Sequence, residues 1–201
     1  MNKELTTTLA DRLKCKLNEG KVTLALQGLA APQSGPQAVP TEAAIAVVKH
    51  QQCLLLDCSS SMAEDVEPNC SKHEALRRLL PQFVGTRRFA FSDACRELVG
   101  LPPPGGSTDL AGAFVTIKQR GIRHAVLVTD GRPDDESSAL REANGLRLDI
   151  FYVGPPPRPA FLDRLAAATG GSAHSGKLDP RGVGKIAASV RQILALPPGR
   201  N

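Results

Sequence analysis

Apolar positions change their spacing several times along the chain, and each change predicts an element. Over residues 4–19 leucine recurs at every fourth position (Leu5, Leu9, Leu13, Leu17), one stripe of an amphipathic helix, and Val22, Leu24 and Leu26 then alternate as in a strand. Residues 28–42 carry three prolines between Gly28 and Pro40 and read as a linker or an extended surface crossing. Beyond them a regular alternation begins. An apolar run over 53–57 predicts a strand, and Ser71-Lys72-His73-Glu74 is a capping-box sequence that starts a helix running to Gln82 or Phe83. Arg88–Phe91 is the next strand, with 95–99 as its partner on the sheet edge before the turn at Pro102-Pro103-Pro104-Gly105-Gly106. Helices over 109–119, 136–144, 159–170 and 180–196 alternate with strands over 124–129 and 148–153, the third helix ending at Gly170-Gly171 and the last at Pro197-Pro198.

Strands that are apolar at every position belong to a sheet covered on both faces, and their alternation with helices makes that sheet mainly parallel. The predicted architecture is a doubly wound, Rossmann-like α/β domain with helices on both faces and one antiparallel edge strand. It spans 43–201, preceded by a helix-strand extension over 1–27 and the linker over 28–42. Such sheets bind ligands outside the carboxyl ends of their strands.

Composition narrows the setting. The 201 residues suffice for one substantial core, 41% are apolar, and no run is long enough to cross a bilayer, so a soluble protein with no membrane partner is expected. The N-terminus, Met-Asn-Lys-Glu-Leu-Thr-Thr-Thr, lacks the apolar stretch of a secretory signal, and five cysteines at irregular spacing do not form a disulfide framework. A reducing cytoplasm fits both observations. The net charge is +5, but it is segregated: from Pro155 onward there are seven basic residues against two acids, while Asp57, Glu64, Asp65, Glu67, Asp109, Asp130, Asp134, Asp135 and Glu136 crowd into three short segments. A basic C-terminal face leaves contact with nucleic acid open, although only 3% of residues are aromatic and stacking platforms are scarce.

The chemistry collects where the predicted strands end. Asp57-Cys58-Ser59-Ser60-Ser61 follows the first strand, Gly106-Ser107-Thr108-Asp109 precedes a helix, and Thr129-Asp130-Gly131 closes a later strand. Hydroxyls and carboxylates with no nearby His or Cys are hard oxygen donors, suited to Mg²⁺ or Mn²⁺ and not to zinc or copper. Ser59 and Ser61, two apart in an extended loop, face the same side as Asp57, so one ion could take two serine oxygens and a threonine oxygen while Asp57 and Asp130 hold bound waters. A nucleophilic Asp57 would want a second acid at position 59, which is Ser59; there is no phosphate loop with its lysine, and no serine-hydrolase elbow. Cys58 reads as a small core residue, and Cys70 with His73 as part of a helix start rather than a zinc pair.

Asp57-x-Ser59-x-Ser61, Thr108 and Asp130, in this order on an α/β rhythm over residues 43–196, resemble the metal-ion-dependent adhesion site of von Willebrand factor type A domains. The resemblance implies that Ser59, Ser61 and Thr108 coordinate an ion directly or through water, and that Asp57 and Asp130 act through water. It also implies one coordination position for a Glu or Asp of a partner protein, and binding in place of catalysis. The expected function is that of a metal-dependent adaptor or assembly subunit, with an AAA+ ATPase as a candidate partner by analogy. The alternative is a nucleic-acid-associated component in which the metal is structural. Two features depart from the family pattern: the acidic insert from Ala63 to Cys70 and the residues before the core.

Overall fold

Leu54, Leu55 and Leu56 are all fully buried, yet they serve two different cores. They belong to β1 (Gln52–Asp57), where successive side chains leave opposite faces of the sheet, so Cys53 and Leu55 enter one core and Leu54 and Leu56 the other. Continuous apolarity is what a strand covered on both sides requires. The structure, a computed structural model, describes residues 51–67, 70–177 and 180–195. The helix, strand and linker expected over 1–42 lie outside the described residues.

After β1 come a 3₁₀ turn (Ser60–Ala63), β2 (Asp65–Glu67), β3 (Cys70–Ser71), α1 (Lys72–Leu79) and a second 3₁₀ turn (Leu80–Phe83). The chain continues through β4 (Arg87–Phe91), β5 (Cys95–Glu97), α2 (Leu110–Gln119), β6 (His124–Thr129), α3 (Glu136–Glu142), β7 (Arg147–Tyr152), α4 (Ala160–Ala168), β8 (Ala173–Ser175) and α5 (Pro180–Ala195). Six strands form one sheet in the order β5-β4-β1-β6-β7-β8, parallel except for β5, which runs antiparallel along the β4 edge. Helices α2, α3 and α4 cover one face, where Phe114, Ile117, Phe161 and Leu165 pack on Leu55, Leu127 and Ile150. Helices α1 and α5 cover the other, with Leu76, Leu79, Ile186 and Val190 against Leu56, Val126 and Val128. The doubly wound α/β architecture with one antiparallel edge strand is therefore present.

Differences from the sequence reading are local. The helix from the capping box tightens into a 3₁₀ turn at Leu80, because Pro81 has no N–H to give to an α-helical bond. Ser71 caps α1 as expected, its Oγ accepting from Glu74 N at 3.2 Å, but the Glu74 carboxylate bonds Arg77 and Arg78 instead of turning back to the cap. The residues of the acidic insert pair as the small antiparallel ribbon β2/β3. The three-residue strand β8 is too short to show a period in the sequence. It can dock because Gly171 lies so close to the Leu148 carbonyl that a Cβ there would overlap it.

At the amino end of the sheet His124 Nε2 donates to Asp149 Oδ2 at 2.8 Å, and Asp149 Oδ1 accepts from Ser172 N and Oγ, which ties β6, β7 and the approach to β8 together. Burial pushes the Asp149 carboxyl up, but bonds from His124 and Ser172 and the charges of His124 and Arg147 outweigh it and hold the acid at about 2, against an ordinary 3.8. A carboxyl held low stabilises the fold above its ordinary value, and that contribution is lost as pH falls through about 2. It amounts to about 2 kcal/mol. Urea unfolding between pH 5 and pH 2 should thus show a steeper loss of stability in the wild type than in Asp149→Asn; equal slopes would remove the pair from this role.

Candidate functional site

The order of strands decides where the site lies. The chain passes from β1 to β4 on one side and later crosses to β6 on the other, so the carboxyl ends of β1 and β6 flank the point where the winding reverses and a crevice opens. Register places Leu56 beside Val128, and so brings the end of β1 against Thr129 and Asp130.

Asp57 is fully buried and spends both oxygens on the protein. Oδ1 accepts from Ser59 N at 2.8 Å and Oδ2 from Thr129 Oγ1 at 2.6 Å. Burial pushes its carboxyl above the ordinary range, opposed by the bonds from Ser59 and Thr129. Asp57 therefore shapes the serine loop and locks it to β6. The loop is not extended over its whole length, as the sequence suggested. Ser59 is extended, but the chain turns straight afterwards, with Met62 N bonding Ser59 O at 3.0 Å and Glu64 N bonding Ser61 O at 3.2 Å. The turn throws Met62 into the core, fully buried, and that burial is the physical reason for the bend. The two hydroxyls still converge: Ser59 Oγ and Ser61 Oγ lie 3.2 Å apart, and Ser61 Oγ donates to Asp130 Oδ1 at 2.8 Å.

Thr108 arrives from a third loop. Gly105 N bonds Cys58 O at 2.9 Å and Ser60 N bonds Gly106 O at 3.2 Å, which joins this loop to the serine loop through the backbone. Gly106 has φ +77°, and a Cβ there would collide with the Asp93 carboxylate, which instead accepts from Ser107 N and Oγ at 2.7 and 2.6 Å. Thr108 N donates to both oxygens of Asp134, at 3.1 and 3.2 Å, and Asp134 N returns a bond to Thr108 O. Among the described residues no hydrogen bond joins Thr108 directly to the two serines or the two aspartates. Asp57, Ser59, Ser61 and Asp130 thus form one bonded cluster, and Thr108 stands beside it on a loop fixed to it by main chain.

Four contributors were not legible as such in the sequence: Thr129, Asp134, Glu64 and Lys72. Thr129 adjoins Asp130 at the strand end, and Asp134 follows four residues later, so nearness to the motif was a usable signal. Lys72 gave none, because it sat inside a capping box. Its ammonium bonds Asp130 Oδ2 and Glu64 Oε2, each at 2.6 Å, and Ser61 O at 3.3 Å. Burial opposes the charged form, but the bonds from Asp130 and Glu64 outweigh it and hold the ammonium above its ordinary value.

The donors fit a hard cation. They are hydroxyls and carboxylates only, and among the described residues no three His, Cys, Asp or Glu side chains gather as a metal cluster, so any ion here must rely on Ser59, Ser61 or Thr108. Cys58, inside the loop, is buried with its thiol pushed up to about 12, chiefly by that burial, and stays a neutral thiol, not a nucleophile, at neutral pH. Cys70 and His73 do not pair: Cys70 Sγ faces Ser71 O and His73 Nε2 bonds Pro102 O at 2.6 Å.

Comparison of the sequence with protein-family models and with curated proteins gives no match. Comparison of the fold with solved structures does. The chain is similar to a von Willebrand factor type A protein from Catenulispora acidiphila, with TM-score 0.56 and 19% identity over 72% of this chain and 41% of that one. It is similar to the manganese-loaded TRAP protein of Plasmodium vivax, with TM-score 0.53 and 18% identity over 74% of each chain. A third, the conserved hypothetical protein BatB from Bacteroides thetaiotaomicron, gives TM-score 0.50 and 16% identity over 71% of this chain and 97% of that one.

Proposed function

We propose that this chain, which has the fold of a von Willebrand factor type A domain, is a divalent-metal-dependent protein-interaction module and not an enzyme. Ser59, Ser61 and Thr108 hold Mg²⁺ or Mn²⁺, and Asp57 and Asp130 support them from behind. The observation that carries this reading is the run of hard donors Ser59 Oγ, Ser61 Oγ and Asp130 Oδ1, linked at 3.2 and 2.8 Å, at the switch point of the sheet. The manganese held by a structural neighbour of low identity supports the choice of ion.

The surroundings define the partner's chemistry. Glu64, Asp65, Asp93, Asp134 and Asp135 are exposed around the crevice. A broadly acidic surface would be repelled there, so the partner offers one Glu or Asp to the ion from within a basic surround. The role is that of an adaptor or assembly subunit in the cytoplasm, with an AAA+ ATPase as one such partner. The described cysteines are all free, and no helix among the described residues is long and apolar enough to cross a membrane.

Calorimetric titration with MnCl₂ or MgCl₂ tests the site. The wild type should bind, and Ser61→Ala and Thr108→Ala should each weaken binding at least about tenfold while circular dichroism stays native. Unchanged affinity in both variants would overturn the reading. A second reading rests on a cleft of about 470 Å³ between β8 and α5, lined by His174, Ser175, Lys177 and Lys185 among others. There the basic C-terminal face would contact nucleic acid, with the metal structural. Partner capture that fails in EDTA supports the adaptor; capture that fails instead with nuclease or raised salt supports nucleic acid.

A further inference from the structure

Lysine is almost never fully buried unless its charge is paired. Lys72 opens α1, yet its side chain is only 7% exposed. Its three N–H donors meet three oxygens, Asp130 Oδ2, Glu64 Oε2 and Ser61 O. Two of these belong to residues of the candidate metal site, and they are already bonded to each other through Ser61 Oγ and Asp130 Oδ1. The ammonium therefore closes a ring with the metal-site donors.

The acidic insert builds this arrangement. The ribbon β2/β3 returns the chain on itself, with Asp65 opposite Ser71, and Lys72 N bonds Glu64 O at 3.0 Å. The first residue of the helix is thereby set beside the end of the serine turn.

We infer that Lys72 is a positioning and selectivity residue for the metal site: a covalently tethered cation that holds Asp130 in place and weakens divalent-ion binding by its own charge. The inference rests on the metal reading above. Asp130 is the carboxylate that Lys72 and a bound ion share, so with an ion in place the lysine leaves the site one unit more positive than it would otherwise be. Glu64 pairs with Lys72 at 2.6 Å but is 68% exposed, so it offsets that unit only in part. The added positive charge makes a partner carboxylate a better last ligand than a neutral carbonyl or water, and so couples tight ion retention to partner binding.

The test is Mn²⁺ binding followed by the electron paramagnetic resonance of free Mn²⁺, together with melting temperature in EDTA and in MnCl₂. Lys72→Met should bind Mn²⁺ about tenfold more tightly than the wild type, melt lower in EDTA, and recover more on adding Mn²⁺. Lys72→Gln, which keeps donors without charge, should show the same gain in affinity and guards against a Met variant that does not fold. Lys72→Arg should return affinity toward the wild-type value. Equal or weaker Mn²⁺ binding in both neutral variants would overturn the inference. Should the wild type bind no Mn²⁺, the metal reading falls as stated; the appearance of a site in Lys72→Gln would then sustain the tethered cation, and its absence would end that too.

Discussion

Replacing Asp130 with alanine should lower the stability of the fold by about 3 kcal/mol, seen as a fall in the urea midpoint with an unchanged slope. The Asp130 side chain is 1% exposed and its two oxygens serve Ser61 and Lys72. Its removal strands an ammonium in a site almost closed to water, and a buried charge that loses its partner costs far more than the pair gains by existing. Glu64 and the Ser61 carbonyl remain to Lys72, which keeps the loss toward the lower end of what such deletions produce. The double variant Lys72→Met/Asp130→Ala removes both charges and should recover most of the loss. If the double variant were as unstable as the sum of the single ones, the two residues would not be a coupled pair.

Phe114→Ala should cost about 3 to 5 kcal/mol. Phe114 is fully buried on α2 in the core shared with Leu55, Phe89 and Leu127, and a deletion of this size leaves a cavity that fixed strands on one side and helices on the other cannot fill. The effect should reach the site as well, because α2 is the helix whose amino end carries Thr108 and its capping residue Asp109. Thermal unfolding measures the first effect, and Mn²⁺ titration below the melting temperature the second. A loss under about 1 kcal/mol would mean that α2 packs more loosely on the sheet than its burial implies.

The sequence was most legible where one physical signal dominated. Largely apolar runs at 53–57, 124–129 and 148–153 became β1, β6 and β7 within a residue, since a strand buried on both faces carries few polar positions, here Asp57, His124, Thr129 and Asp149. Gly145 and Gly170 stop helices at positive φ, as their type suggested. The carboxylates and hydroxyls at strand ends were visible because a wound sheet sends those ends to one side. Legibility failed where two demands competed. The spacing of Ser59 and Ser61 implied an extended loop, but burial of Met62 bent it into a 3₁₀ turn.

The chain by itself determined the α/β rhythm, the edge strand, the positions of the turns and the types of donor available to an ion. All of these follow from interactions between residues close in sequence, or from a periodicity that any one segment displays alone. Only the tertiary structure decided that Asp57 spends its oxygens on Ser59 and Thr129, that Asp134 holds the Thr108 loop, and that Lys72 joins Asp130 across 58 positions of chain. Those choices depend on which strand neighbours which and on where a two-strand ribbon aims the first turn of a helix. A cap and a buried cation look the same in sequence, because the difference lies in the charges that folding brings to meet it.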